Sequence, residues 1–192
     1  MRPDRLCSAP SQTIGPFFHF ALTPDAALGR IACPGARGER IRVRFRLLDG
    51  DGKPVTDAMV ELWQADASGR YHHPADGEAT DPDPAFCGFG RLPTDGDGVC
   101  VFETIRPGRV SDATGRQASH INVSIFARGL LDRLCTRLYF AGDPALAEDP
   151  VLALVPEGRR HTLIARRDAD DQGRWNLDVR LQGEEETVFF DI

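Results

Sequence analysis

At 192 residues, of which 41% are hydrophobic, the chain is long enough for one domain with a buried core and does not require a second. Its formal net charge of −6 argues against nucleic acid or an anionic membrane as the partner, because both bind basic surfaces. The first ten residues, MRPDRLCSAP, lack the apolar run of a secretory signal, and no stretch is long enough to span a bilayer. We therefore expect a cytoplasmic protein.

Residues 1–39 are expected to form an irregular N-terminal arm, because they show little hydrophobic periodicity and are rich in Pro, Gly and Ala. Within the arm, the segment SQTIGPFFHF at residues 11–20 concentrates three aromatic side chains, Phe17, Phe18 and Phe20. Exposed aromatic surface of this kind is unfavourable in water. It either packs on the chain's own domain or contacts a partner chain or a ligand, and the local sequence leaves both possibilities open.

Residues 40–192 are expected to form the regular domain. The stretch RIRVRFRLL alternates arginine with apolar residues, which is typical of a half-buried strand. The same alternation predicts further strands around Val60 and Leu62, within 94–108, and at 121–127, 134–140, 162–165, 175–181 and 187–190. The best helical segment is DPALAEDPVLALV, residues 143–155. This order predicts an all-β fold, an antiparallel β-sandwich with an irregular N-terminal arm and one short helix.

Two DGDG segments, at residues 49–52 and 95–98, alternate Asp and Gly in the manner of a calcium-binding loop. An EF-hand also needs an acidic ligand at its twelfth position and a helix on each side, whereas strands are predicted on both sides here. Hairpin turns are therefore the better interpretation.

The five cysteines are odd in number and show no C-x-x-C spacing, so the sequence predicts free thiols and neither a disulfide framework nor a zinc knuckle. Cys100 and Cys135 lie inside predicted strands and are expected to fill the core as small apolar residues.

The segment GRYHHPAD places Tyr71, His72, His73 and Asp76 in one predicted loop. Adjacent histidines point in different directions and seldom chelate one metal, so a solvated loop is favoured over a metal site on local sequence. Tyr71 differs from its neighbours, because a phenolate binds ferric iron well.

The segment QASHINVSIF, residues 117–126, has strand periodicity that puts His120 and Asn122 side by side on one face. A His-x-His pair there would supply two imidazole ligands for a metal, but an amide is a poor ligand for a transition metal. The strand is therefore either part of an active site or the remnant of one.

Arg137 alternates with Thr136 and Leu138 in the predicted strand CTRLYF. A strand arginine usually faces solvent or pairs with an acid, but its planar fork also suits a substrate carboxylate. The local sequence does not decide between these roles.

Seven segments in order along nearly the whole chain resemble the intradiol ring-cleavage dioxygenases: SQTIGPFFH, VELWQADASGRY, GFGR, TIRPG, HINVSIFARG, TRLYF and GEEETVFFDI. The segments HINVSIFARG and ETVFFD are similar to the α-type subunit of the family members that have two kinds of chain. The resemblance implies a chain that acts with a β subunit in a hetero-oligomer. It also implies intradiol cleavage of protocatechuate with O₂ to 3-carboxy-cis,cis-muconate.

In this family the β subunit holds a ferric ion with two tyrosines and two histidines. Transferred one position at a time, the tyrosines fall on Tyr71 and Val110, and the histidines fall on His120 and Asn122. The family's active-site arginine falls on Gln117. The resemblance therefore implies that Fe(III) is bound by the β subunit and not by this chain. It also implies that this chain carries no catalytic residue, and that Tyr71 and His120 lie close together in a vestigial site held by hydrogen bonds.

The resemblance also gives the N-terminal arm a role, because the family's T-x-G-P segment of the α chain lines the β active site. By that analogy Thr13, Gly15 and Pro16 contact protocatechuate, and Arg137 lies close to its pocket. The family usually has Tyr after the Gly-Pro pair, whereas this chain has Phe17.

Two other interpretations remain open on the sequence. One is a self-sufficient dioxygenase with a different iron ligand set, such as Tyr71, His72 and His120. The other is a non-enzymatic transthyretin-like binding module, because G-K-P-V, A-x-V-E-L and D-G turn features also occur in such sandwiches. A simple binding module would have no use for the aromatic arm.

Overall fold

The computed structural model describes residues 10–13, 15, 18–71, 73, 83–112 and 115–191. One α-helix, α1, spans Phe18–Leu22. The strands of the described residues are β1 Arg40–Leu48, β2 Met59–Trp63, β3 Phe89–Pro93, β4 Val99–Ile105, β5 Ser111–Asp112, β6 Gly115–Arg116, β7 His120–Phe126, β8 Leu134–Phe140, β9 Ile164–Arg167 and β10 Arg174–Arg180. The 3₁₀ helices span Ala26–Gly29, Pro144–Glu148, Leu152–Leu154 and Glu157–Leu163.

Eight strands form one sheet in the order β3-β2-β7-β8-β9-β10-β1-β4, and β5 pairs with β6 separately. The all-β class is thereby confirmed, but the sheet is mixed, because β1 pairs with β10 and β8 with β9 in parallel. Parallel neighbours require a long crossover connection. The 3₁₀ turns between β8 and β9 form one such connection, and nearly the whole domain separates β1 from β10.

The sheet folds over one main core, and the burial of β1 shows how the sequence specifies it. Its residues alternate between exposed or half-buried arginines and buried apolar side chains, as a half-buried strand requires. Apolar side chains from β2, β7 and β8 meet those of β1, β4 and β10 in the same cluster. Ile31 and Ala32, from the predicted arm, are fully buried in it.

A second, smaller core lies at the end of β7 and β8. It packs the segment after β8 against the strand end, with Tyr139 fully buried at its centre. Ala118, Ala145, Leu152, Val155 and Leu163 complete this cluster. The segment 143–155 thus covers the strand end that carries His120.

The predicted helix over residues 143–155 is wrong, and the α-helix lies in the arm instead. Pro150 restricts the residue before it, and Asp149 is accordingly extended, with φ −70° and ψ 118°. The segment therefore breaks into two short 3₁₀ turns on either side of that position.

Other strand predictions differ from the structure mainly at their ends. The last predicted strand, 187–190, is reduced to an isolated bridge between Cys135 and Phe190. The strand predicted at 162–165 begins two residues later, because a 3₁₀ helix extends to Leu163. The core positions of Cys100 and Cys135 are confirmed, since both thiols are buried and free.

Local hydrogen bonds confirm that the two DGDG segments form tight turns, but neither turn is a hairpin between paired strands of the sheet, because β1 pairs with β4 and β10 and β3 pairs with β2. The Oδ1 atom of Asp49 accepts the main-chain N–H of Asp51 and Lys53, at 2.9 and 2.8 Å. Asp95 repeats this arrangement in the second turn. Across the described residues, no helix is long and apolar enough to cross a membrane.

Candidate functional site

Two of the predicted ligand positions, His120 and Asn122, lie on one face of β7 and are flanked by side chains of β2 and β8. Asn122 lies opposite Trp63 on one side and Arg137 on the other, and His120 lies opposite Tyr139. Side chains directly opposite one another on neighbouring strands share a face. The strand register therefore brings these five residues together.

Tyr71 meets both histidine positions of the transferred ligand set. Its hydroxyl lies 3.4 Å from Nε2 of His120 and accepts a hydrogen bond from Nδ2 of Asn122 at 3.0 Å. Trp63 stacks on the phenol ring, with 5.8 Å between the centroids and 7° between the planes. The predicted contact between Tyr71 and His120 is therefore present and is held by a hydrogen bond and an aromatic neighbour.

His120 is nearly fully buried, and this decides its charge. Burial, and then the nearby guanidinium of Arg137, lower the pKa of His120 from 6.5 to about 4. Its Nδ1 lies 2.8 Å from the carbonyl oxygen of Ala118, so Nδ1 carries the proton of a neutral ring. Nε2 then faces the Tyr71 hydroxyl as an acceptor.

A second hydrogen-bond network adjoins this group through Arg137. Its Nη1 donates to Oε1 of Gln117 at 2.7 Å and lies 3.5 Å from the hydroxyl of Tyr139. Gln117 in turn donates to the carboxylate of Asp112. Gln117, to which the sequence resemblance assigns the family's active-site arginine, is here a hydrogen-bond partner of Arg137.

Asp149 anchors the covering segment to both strands. Its carboxylate accepts N–H bonds from Ala118 and Leu152 at 2.7 Å and from Val151 at 3.0 Å. The Tyr139 hydroxyl donates to it at 3.1 Å. Burial raises the pKa of the Tyr139 phenol, so the hydroxyl remains a donor. Four donors to one carboxylate at 1% exposure explain how an acid is tolerated there.

The residues at the four transferred iron-ligand positions do not fit ferric iron. Val110 is buried and supplies no donor atom, and Asn122 turns its amide N–H toward Tyr71. Only one phenol and one imidazole remain, whereas a four-ligand ferric site needs more anionic and imidazole donors. In the described part of the chain, no three His, Cys, Asp or Glu side chains are grouped to hold a metal.

The residues predicted to touch substrate are divided between two regions of the chain. The Thr13 hydroxyl accepts the Gly129 N–H at 2.8 Å and lies 3.4 Å from the Ala127 carbonyl, just beyond the end of β7 that is remote from His120. Arg137 instead adjoins the His120 group. Gly15 is exposed.

Several predicted positions lie outside the described residues: Pro16, Phe17, His72 and Asp76. Of the three aromatic arm residues, Phe18 is buried in the chain itself. The predicted substrate roles of the arm therefore stay predictions.

Sequence reasoning missed Tyr139 and Asp149 as parts of this site. The Asp-Pro pair at 149–150 was a usable signal, because Asp before a new turn often caps it with its carboxylate. Its bond to Tyr139 depends on chain packing and has no local pattern. Trp63 was visible only as part of the motif VELWQ.

The sheet, together with these ligand positions, places the chain in a known enzyme class. The profile of the Dioxygenase family matches residues 14–183, and the chain belongs to the intradiol dioxygenase family. Members of this family are generally iron-dependent.

Two curated relatives define its position in the family. The chain is 42% identical to the protocatechuate 3,4-dioxygenase alpha chain of Burkholderia cepacia, over 97% of this chain and 98% of that one. It is 41% identical to the beta chain of the enzyme from the same organism, over 78% of this chain and 67% of that one. The occurrence of alpha and beta chains implies a hetero-oligomer.

Among solved structures, the chain is similar to catechol 1,2-dioxygenase from Pseudomonas arvilla C-1, with a TM-score of 0.62 and 26% identity. The match covers 80% of this chain and 55% of that one, so this chain spans about half the length of that enzyme.

Proposed function

We propose that this chain is the non-catalytic α subunit of a protocatechuate 3,4-dioxygenase, whose β subunit binds Fe(III) and opens protocatechuate with O₂ to 3-carboxy-cis,cis-muconate. The near full-length similarity to the alpha chain of Burkholderia cepacia supports the subunit type. The observation that carries the proposal is the state of the ligand positions: Val110 has no donor atom, and Asn122 hydrogen-bonds Tyr71.

In this proposal the α chain provides structure and substrate contacts. The ferric ion of the β subunit supplies the oxidation chemistry. The bonds of Thr13 to the loop after β7 hold the arm in place, so that the backbone around Gly15 is presented to the partner. Arg137 contributes positive charge that helps to hold the substrate carboxylate.

The experiment compares the full chain expressed alone with the same chain co-expressed with the β-type chain of its organism. We expect no stoichiometric iron and no tyrosinate-to-iron charge-transfer absorption in the lone chain. The co-expressed pair should contain iron and consume protocatechuate and O₂. A coloured ferric centre in the lone chain would overturn the proposal and favour the self-sufficient dioxygenase.

A variant measured in the co-expressed complex tests which chain binds the iron, and it does so even if the chain expressed alone is insoluble. Tyr71→Phe keeps the ring stacked on Trp63 and removes only the hydroxyl. In the co-expressed complex we expect this variant to retain full iron content and kcat. Loss of iron from the Tyr71→Phe complex would show that this chain supplies an iron ligand. A co-expressed wild-type pair that contains no iron and is inactive would instead favour a binding module.

A further inference from the structure

A groove opens where β9 and β10 separate, and β9 lies two strands along the sheet from β7, which carries His120. The antiparallel ladder between these strands ends at the pair Asn176 and Arg166. Farther along β10, the Arg180 N–H bonds the Thr187 hydroxyl at 3.0 Å, and the Thr187 N–H bonds the Arg180 carbonyl at 3.0 Å. The cavity between these points measures about 410 Å³ and falls within the usual range of small-molecule sites.

Two guanidinium groups line this groove and form no ion pair with a described carboxylate. Arg166 and Arg180 both contribute to its wall, and the charge of Arg180 helps to lower the pKa of the nearby Glu185. Asp178 and Glu185 also line the groove. These two acids have other partners, Arg44 at 3.9 Å for Asp178 and His161 at 2.9 Å for Glu185. The groove therefore offers two guanidinium forks to an anion, and a carboxylate matches their geometry.

Asn176 favours a ligand that carries a hydrogen-bond donor. Its Nδ2 donates to Oδ2 of Asp168 at 2.8 Å, which orients the amide. Its Oδ1 is buried and accepts no hydrogen bond from the described residues. A buried acceptor without a donor is costly, so a ligand hydroxyl at this position would be favourable.

Two apolar side chains of the wall bear on the body of the ligand. Ile164 and Leu177 line the cavity together with His161, Thr162 and Thr187, and Ile164 is partly exposed whereas Leu177 is buried. Inorganic phosphate would satisfy the arginines but would leave the Ile164 side chain uncovered. An aromatic ring between a carboxylate and a hydroxyl would cover it.

We infer that the β9–β10 groove, lined by Arg166, Asn176 and Arg180, is a second small-molecule site that binds a hydroxylated aromatic carboxylate. Its carboxylate pairs with the two arginines, and its hydroxyl donates to Oδ1 of Asn176. The site is separate from the His120 group and does not depend on the proposed catalytic partnership. It would let the chain respond to an aromatic acid without converting it.

Calorimetric titration of the full chain with 4-hydroxybenzoate tests this site. We expect one binding site per chain and binding about tenfold weaker for benzoate, which lacks the hydroxyl. Arg166→Gln and Arg180→Gln should each weaken binding about tenfold or more. Arg46→Gln is the matched control, because Arg46 forms no ion pair with the described carboxylates and does not line the groove.

In the assembled complex, the active site could also bind 4-hydroxybenzoate. The arginine variants distinguish binding in the groove from binding in the active site. There the Arg166→Gln/Arg180→Gln double variant should lose one site per chain, while Arg46→Gln loses none. The inference is overturned by an absence of binding, by equal effects of all three arginine variants, or by equal affinity for inorganic phosphate. Equal affinity for benzoate and 4-hydroxybenzoate would remove the role of Asn176 and with it the stated ligand class.

Discussion

Gly15 offers the sharpest test of whether the arm forms a wall of a partner's active site. Its main chain lies outside the left-handed region, and a Cβ added there would meet no atom within 4 Å. Its side-chain position is exposed, and its carbonyl accepts the Phe18 N–H at 3.3 Å, a bond that a side chain at Gly15 does not remove. Gly15→Val should therefore leave the fold of this chain intact, with a stability change within about 0.5 kcal/mol.

The same substitution should be costly in the assembled complex if the Gly15 backbone touches substrate. The valine methyl groups would occupy space that is open in this chain, so they would displace either the substrate or the arm. Misplacement of reacting groups by about 1 Å lowers the rate on the order of 100-fold. That factor corresponds to about 2.7 kcal/mol of transition-state stabilisation. We expect kcat/KM for protocatechuate to fall by this amount, with a smaller loss for Gly15→Ala.

Steady-state kinetics of the co-expressed complex, with iron content and subunit ratio measured on the same samples, is the assay. Gly96→Val is the matched control, because Gly96 lies in the exposed β3–β4 turn and its added Cβ also meets nothing within 4 Å. Wild-type kinetics for Gly15→Val would refute the reasoning. The arm would then only pack against the domain, and the substrate roles of Thr13, Gly15 and Pro16 would be withdrawn.

Three further predictions follow from the His120 group and its surroundings. Because the unfolded chain takes up a proton below pH 6.5 and His120 resists it until about pH 4, stability should be lost as pH falls through this window, by about 2 kcal/mol at pH 5. Urea unfolding of the His120→Gln variant at pH 5 should show a loss of unfolding free energy that is smaller than that of the wild type by about 2 kcal/mol. Asp149→Ala leaves three buried donors and the partly buried Val151 N–H without their acceptor, and should lower the unfolding free energy by about 3 kcal/mol or more. Arg137→Ala in the complex should raise KM for protocatechuate about tenfold and leave kcat nearly unchanged.

Each of these predictions has a result that would contradict it. The same pH dependence of the unfolding free energy in His120→Gln as in the wild type would contradict the neutral, buried ring. Asp97→Ala alters an exposed carboxylate and should be nearly neutral. A urea unfolding midpoint for Asp149→Ala equal to that of the wild type would show that water takes the place of the lost carboxylate as acceptor. An unchanged KM for Arg137→Ala would remove Arg137 from the substrate contacts.

Strand positions were predictable because alternation is a local signal. The burial of β1 repeats the alternation of its sequence, and β8 has the predicted bounds, Leu134–Phe140. Strand direction was not predictable in the same way, because parallel and antiparallel neighbours can both alternate. The helix predicted at 143–155 does not form, because Pro150 disfavours helical backbone at the preceding residue and the apolar content of the segment does not overcome this effect.

The candidate site was only partly accessible from the sequence. The contact of Tyr71 with His120 was expected from the family pattern. The partner of Arg137 was not, because Gln117 lies 20 positions away and meets it only through the β7–β8 register. The β9–β10 groove was invisible for the same reason, since it exists only where two strands separate in space.

The parallel pairing of β1 with β10 has a consequence for biosynthesis. Paired residues such as Arg44 and Asn176 are about 130 positions apart, so nearly the whole domain must be translated before this ladder can form. Until then the inner faces of β1 and β4 lack the strand that covers one of their edges, and exposed edges of this kind promote aggregation. The nascent chain therefore depends on completing its C-terminal third before it folds, and shortening it before β10 should yield insoluble protein rather than a smaller domain.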